Sequence, residues 1–375
     1  MISTEQLLRD LIAIPSVNPA LAPAGSPRAG EERAARFLSA AGAKAGLEVE
    51  LREVLPGRPN LLARLVPSGK VRRRILLAPH LDTVDAEDHQ FIPQRRGGRL
   101  HGRGACDTKG SAAAMFAALL SLAARGPRPA STEIVFAGLM DEENHQAGSR
   151  ALVAGGFKAH LAIVGEATRL QVVTAHKGCV WIGLETRGLS AHGSRPELGR
   201  NAVHAMAKVV DWLETGYAGL LRARSHPLLG TATSSVGVIR GGRQPNIVPD
   251  RCEILVDRRT IPGETDAGVR RELRGLLRKQ GLEATLVENR TISCLPMETD
   301  PSLPLVAELI EVAGRGLAAG AQFFCDASVL SRGGIPSVVF GPGDIAQAHT
   351  GDEWIELESL EGARVVLEQF LRRQP

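Results

Sequence analysis

The chain has 375 residues, with 45 lysines and arginines against 41 aspartates and glutamates, so its formal net charge is only +4. A balance this close to neutral gives no argument for a nucleic-acid or membrane partner. Aromatic residues make up 3% of the chain, too few for a platform that stacks single-stranded nucleic acid. The length exceeds what one hydrophobic core usually supports and predicts two domains.

The cysteines are scattered along the chain. There are five of them, and no two form a Cys-x-x-Cys pair. This pattern argues against a disulfide framework and a structural zinc site, and it fits a reducing compartment. The N-terminus lacks a signal-peptide pattern, and no apolar run is long enough to cross a bilayer. We therefore expect a cytoplasmic protein.

Helix and strand patterns alternate along most of the chain. Residues 3–14 predict an amphipathic helix with Ser3 as N-cap and Gln6 in the capping-box position, ended by Pro15. The other predicted elements are, in chain order, a helix at 31–41, strands at 47–54, 59–66 and 75–79, a helix at 111–125, strands at 133–139 and 161–164, a strand at 337–340 and a helix at 357–372. Such alternation predicts an α/β fold with a doubly wound, mixed and mostly parallel sheet.

The middle of the chain follows a different order, β-α-β-β-α-β, which is the ferredoxin-like pattern. Its predicted elements are, in chain order, 180–186, 199–214, 233–239, 252–258, 265–280 and 283–288. We interpret residues 179–292 as an inserted, lid-like α+β domain. Residues 1–178 and 293–375 would together form the catalytic domain.

Polar side chains with metal-binding capacity follow four separate apolar runs. They are His80 with Asp82, Glu142 with Glu143, Glu166 and, after a glycine turn, His349. A single such residue is ordinarily part of a polar loop. Because ligands of open α/β sheets bind at the carboxyl ends of the strands, their recurrence predicts one site at that edge.

Together with Asp107, these residues can supply ligands to two metal ions, provided that one carboxylate bridges. Asp107 is the natural bridge, because its glycine-rich loop allows close approach of the backbone. Mixed imidazole and carboxylate ligands suit Zn²⁺, with Co²⁺ or Mn²⁺ as substitutes. Two such ions can activate a water molecule and polarise a carbonyl group. With Glu143 used as a ligand, Glu142 is free to act as a general base.

His192 lies in a loop rich in glycine and serine, between Arg187 and Pro196. A histidine in such a loop is exposed and could donate a hydrogen bond to a developing oxyanion. An ordinary surface histidine is an equal alternative from this pattern alone.

The chain resembles the zinc-dependent deacylase and exopeptidase family that contains acetylornithine deacetylase, succinyl-diaminopimelate desuccinylase, aminoacylase and carboxypeptidase G. The resemblance covers nearly the full length. It is carried by His80-Leu-Asp-Thr-Val84, Gly102-Arg-Gly-Ala-Cys-Asp-Thr-Lys-Gly110, Asp141-Glu-Glu143, Gly165-Glu166, the His192 loop, Asn246 with Pro249, and Asp257-Arg-Arg-Thr-Ile-Pro262. Two further stretches, Gly165–Gly178 and Gly341–Glu353, are most similar to the acetylornithine deacetylases of that family.

The resemblance implies a zinc-peptidase-like fold and a distribution of the ligands over two sites. One Zn²⁺ would be held by His80, Asp107 and Glu166, and the other by Asp107, Glu143 and His349. The reaction implied is removal of an acyl group from an N-acyl amino acid, with N²-acetyl-L-ornithine as the first candidate, a step of arginine biosynthesis.

The resemblance also implies roles for residues outside the ligand set. Asp82 would orient His80, and Glu142 would be the general base. His192 would reach the active site of the partner subunit in a homodimer formed through the inserted domains. Asn246 and Arg259 would bind the carboxylate of the substrate. A cis peptide is implied after the bridging aspartate.

Alternatives of three kinds compete with this interpretation. An aminoacylase, a dipeptidase or a succinyl-diaminopimelate desuccinylase of the same family would use the same ligands. A non-catalytic binding protein that kept the fold would be indicated by loss of a ligand or of the base, and all are present. Nucleotide binding is disfavoured, because Gly341-Pro-Gly343 lacks the third glycine of a dinucleotide fingerprint and Lys109-Gly110 reverses the order of a phosphate loop.

Overall fold

The computed structural model describes residues 2–287 and 293–375. The chain divides into two compact units. The first comprises residues up to Thr174 together with 298–319 and 325–375, and the second comprises 175–297 and 320–324. The predicted insertion at 179–292 stays a prediction, and its end at 292 lies outside the described residues.

The helices lie close to the predicted positions, with several short ones added. The α-helices are α1 Thr4–Ala13, α2 Glu32–Lys44, α3 Lys109–Ala124, α4 Ala147–Ala154, α5 Ala202–Trp212, α6 Ala218–Arg222, α7 Asp266–Lys279, α8 Pro304–Ala313, α9 Ala327–Arg332 and α10 Leu357–Arg372. Ser3 caps α1 as predicted, because its side chain accepts the backbone N–H of Gln6. The Gln6 side chain donates to Asp10.

The strands include every predicted one. They are β1 Glu48–Leu55, β2 Arg58–Leu65, β3 Arg73–Pro79, β4 Gln94–Arg96, β5 Arg99–His101, β6 Thr132–Gly138, β7 Leu161–Gly165, β8 Val173–His176, β9 Gly178–Arg187, β10 Ser225–His226, β11 Gly230–Thr231, β12 Thr233–Gly241, β13 Arg251–Thr260, β14 Thr285–Val287, β15 Met297–Glu298, β16 Ala319–Ala321, β17 Ser337–Val339 and β18 Trp354–Glu356. The strand predicted at 283–288 begins at Thr285 instead, and Glu288 lies outside the described residues.

The main sheet of the first unit runs in the order β1-β2-β6-β3-β7-β17 and continues through β8. Its central strands β6, β3, β7 and β17 are parallel neighbours, whereas β1, β2 and β8 pair antiparallel at the sides. The predicted α/β fold around a mixed, mostly parallel sheet is therefore confirmed. All carboxyl ends of the parallel strands meet at one edge.

Helix α3 fills the space beside this sheet, because small side chains let it pack closely on all sides. Its residues from Lys109 to Leu122 are all buried, and alanines make up much of its sequence. Phe116 from α3 meets Phe136 from β6 edge to face, with ring centroids 4.9 Å apart. This rigid packing fixes the N-terminus of α3, where Asp107 lies.

A small antiparallel sheet of β4, β5 and β18 also belongs to the first unit. Trp354 pairs with His101, and the backbone N–H of Gly102 donates to the carbonyl of Glu353 at 3.0 Å. No sequence pattern predicted these three-residue strands. They bring the chain after His349 alongside the glycine-rich loop.

The second unit has a four-stranded antiparallel sheet in the order β12-β13-β9-β14. Helices α5 and α7 contribute to its buried core, and β13 alternates between buried and more exposed residues. This order confirms the predicted ferredoxin-like pattern. Among the described residues, no helix is long and apolar enough to cross a membrane.

Candidate metal centre

The five predicted ligands come from different elements that end at one edge of the sheet. They are His80 after β3, Asp107 before α3, Glu143 beyond β6, Glu166 after β7 and His349 beyond β17. The apolar stretches of these strands are buried, and at this edge the chain turns polar where it leaves the sheet. That local change of chemistry is what collects the ligands at this edge.

The structure brings all five side chains together around Asp107. One carboxylate oxygen of Asp107 lies 3.0 Å from Nε2 of His80, and the other lies 3.3 Å from Nε2 of His349. Glu166 is 3.8 Å from His80, and Glu143 is 3.2 Å from His349. Asp107 therefore faces two groups of donors, one on each oxygen.

This donor set fits metal ions. Donor atoms of His80, Asp107 and Glu143 all lie within 4.8 Å of one another. Imidazole nitrogens and carboxylate oxygens grouped on two sides of a shared carboxylate are suited to a pair of divalent ions. The peptide bond between Asp107 and Thr108 is cis, as the family resemblance implied.

The pKa values in this cluster are shifted because several carboxylates lie close together near two imidazoles. Burial disfavours the charged form of Asp107, but hydrogen bonds from His349 and His80 outweigh it and lower its pKa. Hydrogen bonds to Asp107 and Glu143 raise the pKa of His349 to about 10. Burial raises the pKa of Glu166 well above its usual range. A divalent cation would relieve the repulsion among these carboxylates.

Glu142 lies next to the predicted ligand Glu143, in the same turn. Burial raises the pKa of Glu142 well above its usual range. His80 opposes this rise, whereas the negative charges of Glu166, Asp326 and Glu143 add to it. A carboxyl group with a raised pKa is suited to exchanging protons near neutral pH.

Asp82 contacts both His80 and the turn that carries the two glutamates. Nδ1 of His80 lies 2.9 Å from the backbone carbonyl of Asp82 and 3.4 Å from its carboxylate. The same carboxylate accepts the backbone N–H groups of Glu142 and Glu143, each at 3.1 Å. Asp82 therefore links the two ends of the cluster.

The other predicted residues lie in the second unit. His192 is exposed, and its Nδ1 lies 2.7 Å from the hydroxyl of Ser194. The structure brings the loops of His192 and Asn246 together, because the N–H of Gly193 donates to the carbonyl of Asn246 at 2.7 Å. Arg259 instead lies at the end of β13.

The guanidinium of Arg259 is already paired within the second unit. Its Nε and Nη2 donate to the two oxygens of Asp257 at 2.8 and 3.2 Å. It also lies over the ring of Phe324, 5.7 Å from the centroid. This planar pairing holds the side chain in a defined orientation.

Sequence reasoning missed three buried residues near the cluster. Glu353 stood in a stretch quoted only for the family comparison, Asp326 carried no signal, and Asn18 carried none beyond a turn-forming Asn-Pro pair. Asp326 accepts a hydrogen bond from Ser149 at 2.5 Å, and burial raises its pKa to about 6. A buried carboxyl group is detectable in sequence only through its surroundings in space.

Residues 76–373 match the sequence model of peptidase family M20/M25/M40. The chain belongs to this family. As an M20 protein, it is a metal-dependent hydrolase that acts on amide bonds, and the predicted family is confirmed.

Relatives of this M20 protein include enzymes with several names. An acetylornithine deacetylase of Myxococcus xanthus is 32% identical, with 88% of each chain covered. A tripeptidase of Staphylococcus aureus has a TM-score of 0.78 at 21% identity, with 100% of each chain covered. A dinuclear metal-binding peptidase of the M20 family from Bacillus subtilis has a TM-score of 0.71 at 14% identity, covering 99% of this chain and 97% of that one.

Proposed function

We propose that this M20 hydrolase converts N²-acetyl-L-ornithine to L-ornithine and acetate, a step of arginine biosynthesis in the cytoplasm. The observation that carries the proposal is the group of five predicted ligands around Asp107 with Glu142 beside it. The choice of substrate is supported by the curated relatives, since those of Myxococcus xanthus and Proteus mirabilis, 32% and 29% identical, are named acetylornithine deacetylase.

Two Zn²⁺ ions would be held at this centre. His80, Asp107 and Glu166 would bind one, and Asp107, Glu143 and His349 the other, as the contacts on the two sides of Asp107 favour. Co²⁺ or Mn²⁺ would be substitutes. When bound, the ions supply Lewis-acid polarisation of the scissile carbonyl and lower the pKa of water.

Glu142 would be the general base. Its carboxylate would take a proton from the attacking water and return it to the nitrogen of the leaving amine. Its partly buried position supports this role, because burial raises the pKa and lets the group hold the proton between the two steps. Asp82 would keep the imidazole of His80 in the orientation needed for a ligand.

The second unit would contribute recognition of the substrate. His192 would donate a hydrogen bond to the oxyanion that forms at the carbonyl, and its exposed position supports such a contact. Asn246 and Arg259 would bind the substrate's carboxylate. The fixed orientation of the Arg259 guanidinium is suited to a planar carboxylate.

A homodimer through the inserted domain, residues 179–292, is part of the proposal. Strand β12 is an edge strand among the described residues, so it is open to pairing with a second copy. Apolar side chains are exposed in the same unit: Trp181 is 47% exposed and Ile239 is 56% exposed. Light scattering of the purified protein should give twice the mass of the chain, and Ile239→Lys should lower it.

The substrate is tested by comparing amides that the family alternatives would cleave. We would measure kcat/KM for N²-acetyl-L-ornithine, N-succinyl-L,L-diaminopimelate, N-acetyl-L-methionine and a dipeptide, with zinc-loaded and chelated protein. Highest kcat/KM for acetylornithine, lost on chelation, is the expected result. Preference for another amide would contradict the substrate and retain the reaction class.

A further inference from the structure

The side-chain amide of Asn18 lies between two buried aspartates of the first unit. Its Nδ2 donates to Asp82 at 2.8 Å and to Asp141 at 3.0 Å. Its Oδ1 accepts the backbone N–H of Ala20 at 3.0 Å, which fixes the orientation of the amide. The backbone N–H of Asn18 donates to the carbonyl of Thr83 at 2.8 Å. Both N–H bonds of one amide are thus used to join two carboxylates.

These two aspartates flank the turn that carries Glu142. Asp82 accepts the backbone N–H groups of Glu142 and Glu143. Asp141 precedes Glu142 and has a φ of 68°, a left-handed conformation that is unfavourable for a residue other than glycine. A strained residue keeps such a conformation only where its surroundings hold it. Asn18 contacts both anchoring points of the turn.

A second pair of charged residues supports Asp141 from the other side. Arg58 donates to the same oxygen of Asp141 at 3.1 Å and forms a two-bond ion pair with Glu31. Glu31 also accepts the backbone N–H of Asp141 at 3.2 Å. Glu31, Asp141 and Asn18 are all fully or almost fully buried. Their charges and hydrogen bonds therefore act in a medium that screens them weakly.

We propose that Asn18 is a positioning residue for the hydrolytic reaction, holding the Glu142 turn in place by joining Asp82 to Asp141. The inference rests on the proposed function, in which Glu142 is the general base. Asn18, Glu31 and Arg58 all precede residue 76, where the match to the family begins. The N-terminal segment of the chain is thereby part of the catalytic centre.

Loss of the amide has a predictable physical effect. In Asn18→Ala the two aspartates would face each other with no donor between them, and like charges in a buried site repel. The turn would relax away from Asp82, carrying Glu142 with it. Because a displacement of about 1 Å can cost roughly 100-fold in rate, we expect kcat to fall by about 10- to 100-fold.

The test compares Asn18→Ala with Gln6→Ala. Gln6 is a matched control, since its amide also donates to a carboxylate, that of Asp10, on the exposed surface of α1. We would measure kcat, KM, bound metal per chain, and hydrogen exchange of the N–H groups of Glu142 and Glu143 in the metal-free protein. For Asn18→Ala we expect lower kcat, KM within about threefold, unchanged metal content and faster exchange. Gln6→Ala should match wild type.

Several results would overturn the inference. They are a kcat within twofold of wild type, unchanged exchange at both glutamates, or loss of metal with normal kcat in the chains that keep it. The last would mean that Asn18 serves only the His80 ligand. If wild type cleaves none of the amides, the proposed function fails, while the exchange measurement still tests whether Asn18 holds the turn.

A second pair of variants covers the case in which Asn18→Ala does not fold. Asn18 and Arg58 both contact Oδ1 of Asp141. Asp141→Asn keeps an oxygen acceptor at this position, whereas Asp141→Ala removes it. We expect kcat of Asp141→Asn to exceed that of Asp141→Ala by about tenfold, in line with the cost of misplacing the base. Equal kcat values would contradict the proposal.

Discussion

The carboxylate of Glu353 accepts the backbone N–H of Asp107 at 2.9 Å. It also accepts the N–H groups of Cys106 at 2.8 Å and Gly104 at 3.0 Å, and it pairs with Arg103 at 2.7 Å. One buried side chain thus receives four donors from the loop that carries the shared aspartate. Because the pairing of β18 with β5 places it there, Glu353 links the two loops that carry Asp107 and His349.

We predict that Glu353→Ala weakens metal binding by about 10- to 100-fold, because it frees the backbone of a ligand loop. It should also destabilise the metal-free protein by about 3 kcal/mol, since Arg103 would be left buried without its partner. Chelator competition measures the first effect and urea unfolding the second. Glu356→Ala is the control, because Glu356 at the end of β18 pairs with Arg99 of β5 but is exposed. Similar results for both variants would contradict the prediction.

Substitutions of the adjacent glutamates Glu142 and Glu143 should have different effects. Glu142→Ala should lower kcat by at least about 100-fold through loss of proton transfer, with metal content near wild type. Glu143→Ala should instead lower the metal content, because Glu143 contacts His349 among the ligands. Steady-state kinetics and elemental analysis of both variants separate the two cases. A Glu142→Ala protein that kept a tenth or more of the wild-type kcat would contradict the assignment of Glu142 as the general base.

The long elements and the grouping of the five candidate ligands could be predicted because their signals are local. Buried parallel strands are continuous apolar runs, so β3, β6 and β7 and the polar residues after them stand out. The five candidate ligands could be grouped because the carboxyl ends of parallel strands share one edge. Helix α3 stood out through its alanine content and the Gly126-Pro127 stop.

The supporting contacts could not be predicted because their partners are far apart in sequence. Glu353 lies 246 residues from Asp107, and Asn18 lies 123 residues from Asp141. Neither residue type indicates burial, since asparagine and glutamate are usually exposed. The strands β4, β5 and β18, with three residues each, are too short for a periodic pattern.

Removal of metal should destabilise the protein as well as stop turnover. Without cations, the buried carboxylates of Asp107, Glu143 and Glu166 repel one another. Each site filled at about 100 times its dissociation constant should add about 2.7 kcal/mol to the free energy of unfolding. Calorimetry with chelator and after zinc is restored measures the shift, and chelator already saturated with zinc is the control. An unchanged melting temperature would argue against binding at this cluster.

Stability should fall on mild acidification because of His176. This histidine is fully buried, and burial lowers its pKa to about 4. Its Nδ1 lies 2.8 Å from the carbonyl of Lys177, and its Nε2 has no hydrogen-bond partner among the described residues. An unfolded histidine has a pKa near 6.5, so its contribution to stability is complete above that pH.

As the pH falls from about 6.5 towards 4, the unfolded state binds a proton that the folded state does not, and this contribution is lost. Between pH 7 and pH 5 the loss should be about 2 kcal/mol. Measured by urea unfolding of the metal-free proteins, the free energy of unfolding should therefore fall by about 2 kcal/mol more in wild type than in His176→Gln between pH 7 and pH 5. His204→Gln, at an exposed position on α5, should follow wild type. If His176→Gln lost as much stability as wild type, His176 would not be the group whose protonation destabilises the protein at acidic pH.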